Sequence, residues 1–107
     1  MRELKSGFLA RRCLADGRPV SVWGAGRGGR RTARALEAHG VSARRFVDID
    51  PKKLGRVARG VPIEPPEVLD HDDLVIASVA ARGARAAIRA HLEGGGFREG
   101  QDFYCTA

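Results

Sequence analysis

The stretch Pro19–Gly29, PVSVWGAGRGG, constrains this chain more than any other. Val20, Val22 and Trp23 form a short apolar run that stops abruptly in glycine. Gly24, Gly26 and Gly29 then stand at the spacing G-x-G-x-x-G, with Arg27 and Gly28 inside it, and a helix-compatible pattern begins at once. A strand that feeds a glycine turn and a helix N-terminus makes an anion site, because the first helical turn carries unpaired amides and partial positive charge. The first glycine allows the tight turn, the second lets a pyrophosphate approach the backbone, and the third lets the helix pack closely on the strand. The hexad alone has little specificity; its surroundings supply the rest. Ala33, Leu36 and Gly40 follow at helix-face and helix-end spacings, and a second apolar strand ends at Asp48, nineteen positions after Gly29. This order predicts a Rossmann-like βαβ unit, in which an acid at the end of the second strand meets ribose hydroxyls.

Elsewhere the pattern alternates in the same way. Arg2–Ala15 reads as a leading helix with Leu4, Phe8 and Ala15 near one face, stopped by Asp16-Gly17. Strands are predicted at Pro19–Trp23, Ala43–Asp48, Val61–Ile63, Leu74–Val79 and Phe103–Thr106, with helices over 28–39 and 82–93. Continuous apolar runs at the first and fourth of these strands mark them as central. Val61–Ile63 is expected at the sheet edge, where Pro62 costs no ladder bond. Pro65–Leu69 opens a single helical turn with proline at its first position. The expected architecture is α/β, a three-layer sandwich on a five-stranded parallel sheet in the order 3-2-1-4-5. The leading helix takes residues 1–17 and the domain proper 18–107. In that order the glycine turn faces the loop Ser78–Gly83 across the crevice where open α/β sheets bind ligands. Ser78 thereby joins the candidate site.

At 107 residues the chain is one small domain, shorter than a complete two-half dinucleotide fold and without a second substrate domain. Its net charge of +6 raises nucleic-acid binding. The sixteen arginines are spread over every segment, however, and Asn is absent while Ala and Gly abound, which reads as coding bias; no nucleic-acid partner is expected. Cys13 and Cys105 have no metal-ligand spacing and read as unpaired buried thiols of a reducing compartment, so a cytoplasmic location is expected, with no membrane span. His39 and His91 fit helix C-termini. His71-Asp72-Asp73 reads as a polar turn before a strand. Asp48-Ile49-Asp50 is a D-x-D triplet, but so short a pattern carries little weight as a metal site. No Ser-His-Asp, Cys-His or paired-carboxylate arrangement stands out, and no catalytic residue or metal ligand is assigned.

Three pieces, VWGAGRGGRRTARAL, FVDIDPKKLGRVARGVPI and DDLVIASVAARGARAAI, resemble the small Rossmann-like domains of bacterial surface-polysaccharide enzymes. One version is the N-terminal nucleotide-sugar-binding domain of sugar acyltransferases; a closer one is appended to the C-terminal side of some bacterial glycosyltransferases. The resemblance covers nearly the whole chain. Its most specific parts are the glycine turn, the stretch D-x-D-P-x-K-x-G-x-x-x-x-G-x-P-[IV] from Asp48 to Ile63, and the apolar fourth strand. It implies that Gly24, Gly26, Gly29 and Asp48 help hold the nucleotide part of a sugar nucleotide. The catalytic histidine of the acyltransferases belongs to a β-helix domain outside this sequence. The function expected is a non-catalytic nucleotide or nucleotide-sugar binding module, accessory to a glycosyltransferase-type catalytic domain. An NAD(P)-binding module and an interaction domain that has lost its ligand remain as alternatives. The expected ligand-binding residues are Gly24, Gly26, Arg27, Gly28, Gly29, Asp48 and Ser78.

Overall fold

The computed structural model describes residues 5–81 and 83–106. The starts of the predicted helices at Arg2 and Arg82, and the last residue, Ala107, lie outside the described residues. Helix α1 (Ser6–Asp16) leads into strand β1 (Val20–Trp23), helix α2 (Arg27–Ala38) and strand β2 (Ala43–Val47). Strands β3 (Val57–Ala58) and β4 (Val61–Glu64) follow, then a 3-10 turn at Pro66–Val68, strand β5 (Leu74–Ser78), helix α3 (Ala84–Gly94) and strand β6 (Phe103–Thr106).

The sheet is mixed and has six strands in the order β3-β4-β2-β1-β5-β6, not the five all-parallel strands expected. Every pairing among β4, β2, β1, β5 and β6 is parallel. The addition is β3, which pairs antiparallel with β4, Val57 opposite Pro62 and Ala58 opposite Val61. Its cause is local. Arg59 (φ 49°) and Gly60 (φ 81°) both take the left-handed conformation, as a two-residue hairpin turn requires. Arg-Gly is a weak hairpin signal, since arginine gains nothing from positive φ. Pro62 therefore lies one strand in from the edge, and the ladder steps over it through Ile63 N–H donating to Arg56 O at 2.9 Å.

All four residues of β1 and all five of β5 are buried, as their largely apolar composition leads one to expect, with Ser21 and Ser78 the polar exceptions. Side-chain alternation divides the core between the two faces of the sheet. One face packs Val20, Val22, Phe46 and Ile76 against Leu9 and Cys13 of α1 and Ala33 and Leu36 of α2. The other packs Trp23, Val47, Val75 and Phe103 against Ile88 and Leu92 of α3. Helix α2 is the most amphipathic element: Gly29, Ala33 and Leu36 point inward while Arg27, Arg30, Arg31 and Arg34 face outward. For α1 the expected inward face was the wrong one. Phe8 is 42% exposed and Ala15 is exposed, whereas Leu9, Ala10 and Cys13 are buried. Both stripes of α1 carry apolar residues, and packing on α2 selects the one with the smaller side chains.

Asp73 marks another departure. His71 and Asp72 form the exposed turn expected, but Asp73 is fully buried. Its carboxylate accepts hydrogen bonds from Ser21 Oγ (3.1 Å), Arg45 (3.2 Å) and the Asp70 N–H (3.1 Å). A buried charge is tolerable only with such partners. Arg45 in turn lies 3.4 Å from Glu64, so β1, β2, β4 and the approach to β5 share one polar network.

Two predictions follow from this packing. Cys13 and Cys105 are free and buried on opposite faces of the sheet. Burial, helped by Asp16, pushes the Cys13 thiol up to about 11. Thiol titration should count two sulfhydryls in denaturant without reductant and find both slow to react in the native protein; a count of zero would contradict the fold.

Arg18 supplies the second. Its guanidinium bonds Asp16 (2.7 Å), Asp102 (3.0 Å) and the Gln101 carbonyl (2.8 Å), tying the entry of β1 to the approach of β6. Asp16 is held below the usual carboxylate range chiefly by its hydrogen bond from Arg18. Asp102 is held low first by the Arg98 N–H and then by Arg18. Carboxyls depressed in the folded state stabilise it above their unfolded value near about 4 and lose that contribution as pH falls. Arg18→Leu should therefore cost about 1–3 kcal/mol at pH 7, with the gap to wild type shrinking below pH ~4. Urea unfolding at pH 7 and pH 3 measures it, and equal stability at pH 7 would refute the clamp.

Candidate functional site

The C-terminal ends of β1, β2 and β5 open into a cleft of about 580 Å³, within the ordinary range for a small-molecule site. All seven residues expected from sequence line it: Gly24, Gly26, Arg27, Gly28 and Gly29 from the turn, Asp48 beyond β2, and Ser78 at the end of β5. The sheet order brings them together, since β1 lies between β2 and β5.

The glycines of the turn differ in what demands them. At Gly24 (φ 121°) a Cβ would lie 2.5 Å from the Ser78 carbonyl oxygen, and at Gly29 one would lie 1.6 Å from the Gly24 carbonyl oxygen. Both are required by the fold itself: the end of β5 lies against Gly24, and α2 rests almost directly on the end of β1 at Gly29. Gly26 is not. Its backbone is extended (φ −81°, ψ −166°), and an added Cβ would meet only the Lys53 ammonium at 3.4 Å, the movable end of a flexible side chain. Gly28 has equally ordinary surroundings, with the nearest atoms 3.8 Å away on Ser78.

Gly26 is also the N-cap of α2, and no side chain caps that end. The first bond closing onto it runs from Arg30 N–H to Gly26 O at 3.0 Å. The amides of Arg27, Gly28 and Gly29 are thus the orphan donors of a helix start, in residues that line the cleft. With the helix dipole they favour an anion there.

Asp48 does structural work that the sequence does not reveal. Its Oδ2 accepts the Ala25 N–H at 2.9 Å and its Oδ1 the Asp50 N–H at 2.9 Å, while Lys53 Nζ lies 3.9 Å away. The carboxylate therefore holds the glycine turn against the loop after β2. Each oxygen retains a lone-pair direction for a further donor, and the residue keeps some exposure in the cleft. Ser78 is 3% exposed, and its Oγ is 2.8 Å from Thr32 Oγ1, a bond that pins α2 to β5.

Other lining residues have little or no sequence signal. Ile49, the middle of the D-x-D triplet, is 74% exposed at the cleft mouth. Lys53, read from sequence as part of a turn, stands over Gly26. His91 lies edge-on to Trp23 with ring centroids 5.3 Å apart, so a histidine near a helix end is also part of a cleft wall. Val79, Ala84, Ala87 and Ile88 make the rest of that wall apolar. Among these, only Lys53 lay inside a motif that marked it beforehand.

Compared with protein-family models, curated proteins and solved structures, the chain finds no match. The cleft itself is then the basis for a functional reading. Among the described residues, no helix is long and apolar enough to cross a membrane.

The unequal roles of the glycines are directly testable. Gly29→Ala should cost about 3 kcal/mol or more, since backbone must move to admit the methyl. Gly26→Ala should cost about 1 kcal/mol or less, the ordinary difference between these residues at an N-cap. Equal losses in urea unfolding would mean that the turn is not built as described.

Proposed function

We propose that this chain is a binding module for a diphosphate-containing nucleotide, with a nucleotide sugar as the favoured ligand, and that it performs no chemistry on it. In this reading the cleft is the ligand crevice of a Rossmann-like domain. The diphosphate lies over Gly26 and accepts from the amides that begin α2, with Arg27 and Lys53 adding charge. The ribose lies toward Asp48, and the base rests on the apolar side chains of Ile49 and Pro66. The group beyond the diphosphate runs along α3 past Val79, Ala87 and His91. A nicotinamide dinucleotide uses the same features, and its second half would take that α3 wall.

The observation that carries the proposal is Gly26. Neither its backbone conformation nor its packing calls for glycine. Beyond the modest preference of an N-cap for glycine over alanine, close approach of a ligand to the backbone is a physical reason for leaving that position bare. The exposed Ile49 at the cleft mouth offers an apolar surface on which a base could rest.

A second reading has one observation in its favour. Both carboxylate oxygens of Asp48 already serve backbone amides, which is what a turn cap in a ligand-free interaction domain would do.

Calorimetry separates the two. UDP, UDP- and GDP-sugars, NAD, NADP and CoA should be titrated into wild type and into Gly26→Val and Asp48→Ala. The binding reading expects at least one nucleotide to bind wild type and Gly26→Val to abolish binding while remaining folded. Asp48→Ala should weaken it about ten- to a hundredfold, the worth of a hydrogen bond to a charged acceptor. If no nucleotide binds the folded protein at millimolar concentration, and Asp48→Ala changes stability alone, the interaction-domain reading replaces it.

A further inference from the structure

A second concavity adjoins the cleft on the other side of the glycine turn. This groove, of about 880 Å³, runs between α2 and the β3–β4 hairpin. Arg27, Arg30, Arg31 and Arg34 form one wall, and Lys53, Arg56 and Arg59 the other. The first four stand at i, i+3, i+4 and i+7, so they make a single stripe about 10 Å long on the helix.

What sets these cations apart is that they line one concavity, most of them with no carboxylate partner. Arg18, Arg44, Arg45 and Arg89 each meet a carboxylate elsewhere in the protein, whereas Arg11, Arg12 and Arg98 have no ion pair among the described residues. In the groove, Arg59 is paired with Glu37 and Lys53 approaches Asp48. Among the described residues, no carboxylate lies within ion-pair distance of Arg27, Arg30, Arg31, Arg34 or Arg56; Arg30 bonds only the Gly26 carbonyl, at 3.3 Å. Five like charges gathered in one concavity repel one another. An anion bound between the walls removes that repulsion.

We propose that the groove is an oligophosphate subsite, taking the further phosphates of a nucleoside oligophosphate whose first two lie in the neighbouring cleft, on the side of the glycine turn away from the α3 wall that a sugar would take. For the nucleoside half of that ligand it rests on the cleft reading above. The two concavities share Gly26, Arg27 and Lys53, so a phosphate chain that starts over the helix N-terminus can continue between the arginine walls. Guanidinium groups on both walls suit phosphate oxygens through paired N–H donors. Among the described residues no aromatic side chain lines the groove, which there lacks the stacking platform by which single-stranded nucleic acids are held. Recognition is by charge and length of the phosphate chain, and binding weakens with salt.

The test is calorimetric titration of the whole chain at low and moderate salt with pyrophosphate, tripolyphosphate, UDP and an unstructured twelve-nucleotide DNA strand. Arg31→Glu/Arg34→Glu disrupts one wall, Arg56→Glu the other, and Arg11→Glu/Arg98→Glu makes the same charge change as the first pair away from the groove. Arg31 and Arg34 are exposed on α2 and glutamate is as good a helix former as arginine, so the first variant should fold. Tripolyphosphate should bind wild type about tenfold or more tightly than pyrophosphate, as one added charge-assisted contact implies. That gain should vanish in both groove variants and persist in the control, with UDP binding the same in all. No gain over pyrophosphate, or an equal loss in the control, overturns the subsite. So does tighter binding of the DNA strand than of tripolyphosphate at equal phosphate concentration. UDP binding without the phosphate gain leaves the cleft reading and removes the groove; the gain without UDP binding does the reverse.

Discussion

The contact on which the site depends is the one between Gly29 and Gly24. A single methyl group at position 29 would overlap the carbonyl oxygen of residue 24, so α2 sits as close to the end of β1 as a helix can. Three consequences follow from that distance. The helix N-terminus opens directly above the centre of the sheet. Thr32 comes within hydrogen-bonding reach of Ser78 and ties the helix to β5 as well. The loop after β2 must close over the turn, which it does through the two backbone bonds to Asp48. The cleft is the space these constraints leave between β1, β5 and α3.

Charge is organised on the same frame. A surplus of arginine is scattered along the sequence, yet the fold sorts it into paired and unpaired groups. Arg45 is drawn inward to Asp73 and Glu64, because β2 presents it to the face that carries Ser21. Arg18 closes the opposite end of the sheet with Asp16 and Asp102. Among the described residues the helix stripe of α2 meets no acids, since the hairpin facing it contributes Arg56 and Arg59. An even sprinkling of positive charge in one dimension thereby becomes a concentrated field beside the cleft.

The backbone plan could be read from the sequence wherever a local rule acts strongly. Unbroken apolar runs placed β1 and β5 at the centre, and the glycine hexad placed the start of α2 within a residue. It failed where two local signals were nearly balanced. On α1, apolar residues occupy two stripes, and only contact with α2 selects Leu9, Ala10 and Cys13. At Arg59-Gly60 the turn residues are unremarkable for a hairpin, so β3 and its antiparallel edge were not foreseen.

The residues of the candidate site divide in the same way. Gly24, Gly26, Arg27, Gly28, Gly29, Asp48 and Ser78 were determined by sequence, because glycine spacing and strand ends are one-dimensional signals that a parallel sheet carries to one edge. Tertiary structure alone decided the rest. It buried Asp73 and left Asp72 exposed, turned Ile49 into the mouth of the cleft, and set His91 against Trp23. It also faced the arginine stripe of α2 with the cations of the hairpin. These depend on which strands become neighbours and which faces they share, and partners far apart along the chain leave no spacing to read.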